Sequence, residues 1–245
     1  LVVYIVTAMK KTHVLLLLFT LFFKSYCIGQ LASGTVLYKI QLVGYGGENK
    51  DPDFKELNEA TVKIANQQTC TLSFNGKRSS SILNKYLITD NENNGLMNMA
   101  RKMAFIVTNE SDYFFDKINN TAIRRDDNGS LIEIKHKILD WEITKESKSI
   151  DGYLCYKAIY YHKFINRKGV DTSIPIIAWF APSLPYGYGP KYFNGLPGLI
   201  LELNDRETTF YATSISILKD KELVIEFPKG KTVSQEDYTK KGQSN

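Results

Sequence analysis

Residues 189–205 read GPKYFNGLPGLILELND, three glycines and two prolines set directly before an apolar run. Two readings compete: a loop that holds a ligand, or a bend that launches a buried strand. Spacing removes the nucleotide loops. Gly187 and Gly189 meet Tyr192 where a dinucleotide fingerprint needs its third glycine, and Gly44, Gly46 and Gly47 meet Asn49. Neither run is followed by Lys-Ser or Lys-Thr in P-loop register. What remains is backbone geometry. Leu196-Pro197-Gly198-Leu199 has the pattern of a type II turn, with Pro197 fixing φ and Gly198 accepting a positive one. Gly195 is placed to let another backbone or an aromatic ring come close. The structural turn is therefore assigned to Gly195, Pro197 and Gly198.

Outward from that bend the dominant period is two, as in strands with one covered face. Val36, Tyr38, Ile40 and Leu42 alternate with polar residues. So do Cys70, Leu72 and Phe74, and so do Ile132, Ile134, His136 and Ile138. Ile174 to Phe180 and Leu199 to Leu203 are more continuously apolar and read as strands covered on both faces. Thr208 to Ile217 and Glu222 to Phe227 follow after the polar turns Asn204-Asp205-Arg206 and Lys219-Asp220, which makes a meander.

One segment breaks the pattern. Residues 51–67, DPDFKELNEATVKIANQ, put Phe54, Leu57, Thr61 and Ile64 on one helical stripe, with Asp51 as N-cap and Pro52 at the first helical position. Gly95 to Met103 has the spacing of a short helical turn, although Asn91, Asn93 and Asn94 before it suit a loop. Beyond Pro228 the chain is polar and charged, and residues 229–245 are expected to be disordered.

The N-terminus reads as an export signal. Lys10 and Lys11 precede the block Val14 to Phe23, and Cys27-Ile28-Gly29 offers a small-residue end before Gln30. Such a block is too short for a hydrocarbon core about 30 Å thick. The expectation is a signal peptide over 1–29, with 1–8 an extension upstream of Met9, and no transmembrane anchor after cleavage. Tyr26 fits a lipoprotein processing site badly. Loss of Lys10, Lys11 and Lys24 takes 31 basic residues to 28 against 26 acids, which leaves no basic excess for nucleic acid. Residues 30–228 then form one β-rich domain in an exported protein: periplasmic, outer-membrane-associated or secreted. Cys70 and Cys155 remain, and an even count in an exported chain makes a disulfide possible, two buried thiols being the alternative.

Reactive chemistry is sparse. His136 and His162 each lie in a strand-like stretch without a ligand or acid at useful spacing, no G-x-S-x-G elbow occurs, and Asp126-Asp127 and Asp140 with Glu142 suit solvated surface. No catalytic, cofactor-binding or metal-ligating residue is assigned, and no cofactor. The aromatic residues Trp179, Tyr186, Tyr188, Tyr192 and Phe193 are either packing or a surface for a ligand or partner.

The run Gly189-Pro190, Phe193 and Gly195-Leu196-Pro197-Gly198-Leu199-Ile200-Leu201-Glu202 resembles the signature of the GLPGLI family, exported proteins of Bacteroidota with no assigned activity. Gly152-Tyr153, Cys155, Lys157-Ala158, Ala178-Trp179-Phe180 and Pro185 resemble the blocks that precede it. Ser73-Phe74-Asn75 with Ser79 and Ser81 is loosely similar to the family's first half. The resemblance implies an envelope or secreted location and a small β-rich protein, and it hands over no catalytic residue. The expected fold is mainly β: a curved antiparallel sheet, half-barrel or sandwich-like, lipoprotein-carrier-like in architecture, with one helix in the N-terminal half. The expected function is a non-catalytic binding module for an apolar ligand or an envelope protein partner. The alternatives are a structural or interaction protein without a small ligand, and then an enzyme, which would need a histidine beside a nucleophile or acid in a polar cleft.

Overall fold

The structure, a computed structural model, describes residues 33–43, 51–84, 95–108, 111–135, 138–166, 168–219 and 221–243. The signal segment, the glycine run 44–47, Asn91 to Asn94 and His136 lie outside the described residues. Twelve strands form one sheet: β1 Ser33–Leu42, β2 Thr69–Phe74, β3 Arg78–Asn84, β4 Ser111–Asp116, β5 Thr121–Asp126, β6 Leu131–Lys135, β7 Glu142–Ile150, β8 Tyr153–Ile165, β9 Asp171–Ala181, β10 Leu199–Asp205, β11 Thr208–Leu218 and β12 Thr232–Ser234. Their order is β12-β6-β5-β4-β3-β2-β1-β11-β10-β9-β8-β7. Two antiparallel meanders, β1 to β6 and β7 to β11, are thus joined edge to edge by the pairing of β1 with β11. The sheet is open and curved, so that its two wings flank one inner face.

Direct pairs in antiparallel strands share a face, so the registers define an inner row Ala158, Ala178, Leu203, Phe210 and Ile40. All five are fully buried. The neighbouring row runs Lys157, Trp179, Glu202, Tyr211, Lys39 and Thr69 along the outer face. The alternation read from β1 and β2 is therefore realised, with Val36, Tyr38, Ile40, Cys70, Leu72 and Phe74 in the core. Leu199, Ile200, Leu201 and Leu203 are buried whichever way they point, as a strand covered on both faces requires.

Local chemistry fixes the connections. Asp151 and Gly152, with φ of 48° and 78°, make the two-residue turn whose twist suits the β7–β8 hairpin. Asp51 caps helix α1, Pro52–Gln67, by accepting from Asp53 N at 3.0 Å, with proline at its start. Helix α2 spans Gly95–Thr108, a full helix where the sequence suggested a short turn. Its small residues Ala100 and Ala104 pack against Ile64 and Ala65 of α1, beneath Leu42. Expected strand 222–227 is instead an irregular crossing in which Ile225 is buried. The tail, expected to lack order, carries β12, paired in parallel with β6, and helix α3, Gln235–Gln243. Phe227, 5.9 Å from the Phe114 ring, and the Arg78 guanidinium 5.0 Å above it anchor that crossing, an apolar purchase hidden inside a charged segment.

Between β9 and β10 the signature loop, residues 182–198, folds back over the inner face. Leu184, Tyr188, Phe193 and Leu196 are buried there. Tyr188 O accepts from Ile200 N at 3.0 Å and Leu184 O from Leu199 N at 2.9 Å, so the loop pairs with the start of its own strand. The type II assignment is corrected here: Gly198 is not among the glycines with positive φ, whereas Gly195 is, at 91°. Gly198 is demanded by space, since a Cβ there would overlap the Ala181 carbonyl, while a Cβ on Gly195 would meet nothing within 4 Å. The two glycines have exchanged the roles the letters suggested. Gly189 is equally confined, a Cβ falling 2.6 Å from Ile200 Cδ1 and 2.9 Å from Phe193 O.

Leu201 is a bulge residue, because Ile200 faces Phe180 while Glu202 faces Trp179. The Ile200 carbonyl freed by this irregularity accepts from the buried Tyr38 hydroxyl at 2.5 Å. Gly198→Ala should lower stability by about 3 kcal/mol or more, since backbone cannot yield as a side chain can. Gly195→Ala should lower it by about 1–2 kcal/mol, the cost of a positive φ alone. Thermal melts of the two variants that reversed this order would reject the steric assignment.

Candidate functional site

The inner face is not filled from wing to wing. A cavity of about 560 Å³ lies between β3–β6 on one side and β8–β9 on the other. Tyr113, Phe115, Ala122, Arg124 and Ile134 reach it from the first wing, and Tyr160, His162 and Ile176 from the second. Tyr188, Gly189 and Lys191 to Asn194 of the signature loop form its roof. Ile106 and Val107 of α2 and the β10–β11 turn Asp205 to Glu207 border it as well.

The roof is tied to both wings. Lys191, held at φ 57°, donates its backbone N–H to Ser81 Oγ on β3 at 2.8 Å. Its ammonium reaches Asp205 Oδ2 on β10 at 2.6 Å, the two side chains only 10% and 13% exposed. Trp141 Nε1 donates to Asn194 O at 2.9 Å. Tyr192 stacks on Phe193, centroids 4.4 Å apart, and meets Tyr113 of β4 at 5.4 Å. The Tyr188 hydroxyl is pushed up to about 12, by burial first and by the Asp116 charge second. It therefore stays protonated at neutral pH.

The expected aromatic surface divides. Tyr188, Tyr192 and Phe193 line the cavity. Tyr186 packs on Phe74, centroids 4.9 Å apart, in the core. Trp179 sits in the outer row, capped by the Lys148 ammonium at 4.4 Å, which also binds Glu202 at 2.6 Å. His162 borders the cavity, but its ring lies in an aromatic ladder with Tyr160 at 6.4 Å and Phe164 at 5.9 Å. The far wall, Tyr113, Phe115, Ala122, Arg124 and Ile134, was missed by sequence reading. Its only local signal is alternation along β4 to β6, which does not say what the strands face. Arg124 is held by Asp126 at 2.9 Å. Among the described residues no group of three or more His, Cys, Asp or Glu side chains could hold a metal.

Cys70 and Cys155 are both buried free thiols, so the possible disulfide is not formed. Register explains why. Cys70 follows Thr69 of the outer row and so faces inward, opposite Tyr38, whereas Cys155 is two residues before Lys157 and shares the outer face with Trp179. They lie on opposite sides of the sheet. Burial pushes each thiol up to about 11.

The fold and site together define a curved β-sheet protein with a roofed internal cavity. A family model described as a protein of unknown function (Porph_ging) matches residues 165–202, from the end of β8 through the roof to Glu202. No curated protein is matched. Among solved structures the chain is similar to PNGF-II in space groups C2 and P21, at 14% and 15% identity, each with a TM-score of 0.51 and covering 86% of this chain. The chain spans about a third, 32%, of the PNGF-II chain. At that identity the likeness is one of fold alone.

Two outcomes follow from this geometry. In the native protein at pH 8, an alkylating reagent should leave Cys70 and Cys155 unmodified, while unfolding without reductant should expose both to labelling. A peptide map with either residue labelled in the native state, or with the two joined, would contradict the free buried assignment. Lys191→Met should cost about 2–4 kcal/mol by leaving Asp205 nearly buried and unpaired. Adding Asp205→Leu should restore more than half of that loss in denaturant titrations, and simple additivity would rule the pairing out.

Proposed function

We propose that this chain is an exported binding module of GLPGLI type, non-catalytic, whose cavity takes an apolar ligand. The observation that carries the reading is the space itself. About 560 Å³, within the roughly 300–1,000 Å³ typical of ligand pockets, is lined about equally by polar groups and by apolar ones such as Phe115, Ala122, Ile134 and Ile176. Two of the charged groups at its wall and roof are engaged in ion pairs, Lys191 with Asp205 and Arg124 with Asp126. The His162 ring packs between those of Tyr160 and Phe164. Export is supported by Lys10 and Lys11 before Val14 to Phe23, and the GLPGLI assignment by Gly195 to Ile200 with the blocks around Cys155 and Trp179.

The test uses N-phenyl-1-naphthylamine, an apolar dye that brightens out of water. Ala122 faces the cavity from β5, away from the roof. Ala122→Phe should occupy the space and weaken dye binding at least tenfold, with the melting temperature changed little because the added ring enters a void. Absence of saturable binding to the parent chain, or equal binding to a folded Ala122→Phe variant, would overturn the reading.

A further inference from the structure

Helix α2 turns an apolar face away from the protein. Ala100, Ala104 and Thr108 are its buried side, against α1. Met99 and Ile106, each 54% exposed, lie on the opposite side, flanked by the half-buried Leu96 and Met103. A surface helix ordinarily reverses this pattern. Moreover, GLMNMARKMAFIVT contains no acid and carries Arg101 and Lys102. The helix's last turn stands at the cavity mouth: Thr208 Oγ1 donates to Val107 O at 2.8 Å, and Ile106 and Val107 border the cavity. Lys135 and Arg206 stand on the same rim with a single exposed acid, Glu207. Val43, 60% exposed, is joined to that rim through its N–H to Glu207 O at 2.9 Å.

We infer that the outer face of α2 seats the protein on an anionic lipid surface, with the cavity mouth beside the bilayer. Met99 and Ile106 enter the acyl boundary while the exposed Lys102 beside them meets the headgroups, the arrangement by which an amphipathic helix lies in an interface. Charge decides between lipid and protein as the occupant. An acid-free helix with flanking cations, beside a rim where cations outnumber acids, complements a sheet of negative headgroups over its whole extent. The inference goes beyond the ligand reading and does not depend on it, since α2 would dock whether or not the cavity is filled.

The experiment places a reporter at the contact. Ile106→Trp in the full chain, over the constant background of Trp141 and Trp179, should shift its emission to the blue with vesicles of equal phosphatidylglycerol and phosphatidylcholine. Acyl-brominated lipid should quench it. Val224→Trp, at a position 80% exposed on the 221–229 crossing, should do neither. Lys102→Glu in the Ile106→Trp background should weaken the response about fivefold, and pure phosphatidylcholine should give little. Unchanged emission at position 106 overturns the inference, as does an equal response to neutral vesicles or with Lys102→Glu. A dimer in sedimentation that Ile106→Ser dissolves also overturns it, in favour of a second copy on that face. Positions 102, 106 and 224 are all exposed, so matching melting curves separate loss of docking from loss of fold. Dye binding blocked by Ala122→Phe reports the cavity independently.

Discussion

The inner face is closed by backbone lying on backbone, and that contact exists only where side chains are missing. Gly198 passes against the Ala181 carbonyl, and Gly189 sits against Phe193 O and the Ile200 side chain. Gly187 lies where a Cβ would come within 2.8 Å of Leu196 O. These three approaches let a loop of seventeen residues, 182–198, double back on the strand it feeds without lifting from the sheet. Because it stays low, its Leu184, Phe193 and Leu196 complete the core while Tyr188 and Tyr192 reach the cavity. The signature is thus a steric device, and its aromatic residues are aimed by it.

The same constraint explains the irregularities around it. A loop pairing Tyr188 O with Ile200 N diverts β10 from regular pairing with β9, and the bulge at Leu201 absorbs the extra residue. The Ile200 carbonyl turned out of register would cost on the order of 1–3 kcal/mol if buried alone. Tyr38 supplies its partner from β1, across the join between the two meanders. The opposing strand bulges beside that tyrosine, with Thr213 inserted between Ser214 and Ala212 and its hydroxyl on Leu37 O at 3.0 Å. One hydroxyl therefore couples the loop, the bulge and the closure of β1 on β11. The N-terminal strand is needed to finish a structure whose signature lies 160 residues away.

Much of this fold was legible because period two is a local property. β1, β2, β10 and β11 could be read from alternation or from apolar runs, and α1 from its cap and stripe. Helix α2 was half hidden because its helical spacing carries apolar residues on both sides, so periodicity does not end where burial does. The tail was illegible for another reason: Phe227 finds its partners on Arg78 and Phe114, more than a hundred residues earlier. The site divides along the same line. Tyr188, Tyr192 and Phe193 announce themselves as a cluster. Placing Trp179 outside needs the pairing of Trp179 with Glu202, which a sequence does not state. The opposite wall belongs to strands that meet the loop only after the sheet curves.

The cavity opens at its mouth, beside helix α2 and the β10–β11 turn, so solvent reaches its walls. The space is therefore occupied, by water or by something else. Lys191, Asp205, Arg124 and His162 give that water partners, whereas Phe115, Ala122, Ile134 and Ile176 offer it none. Water against those walls is the kind an apolar ligand displaces with a gain in free energy. A roof tied down at Ser81, Asp205 and Trp141 holds those walls apart, which is the condition under which the proposed ligand would displace that water.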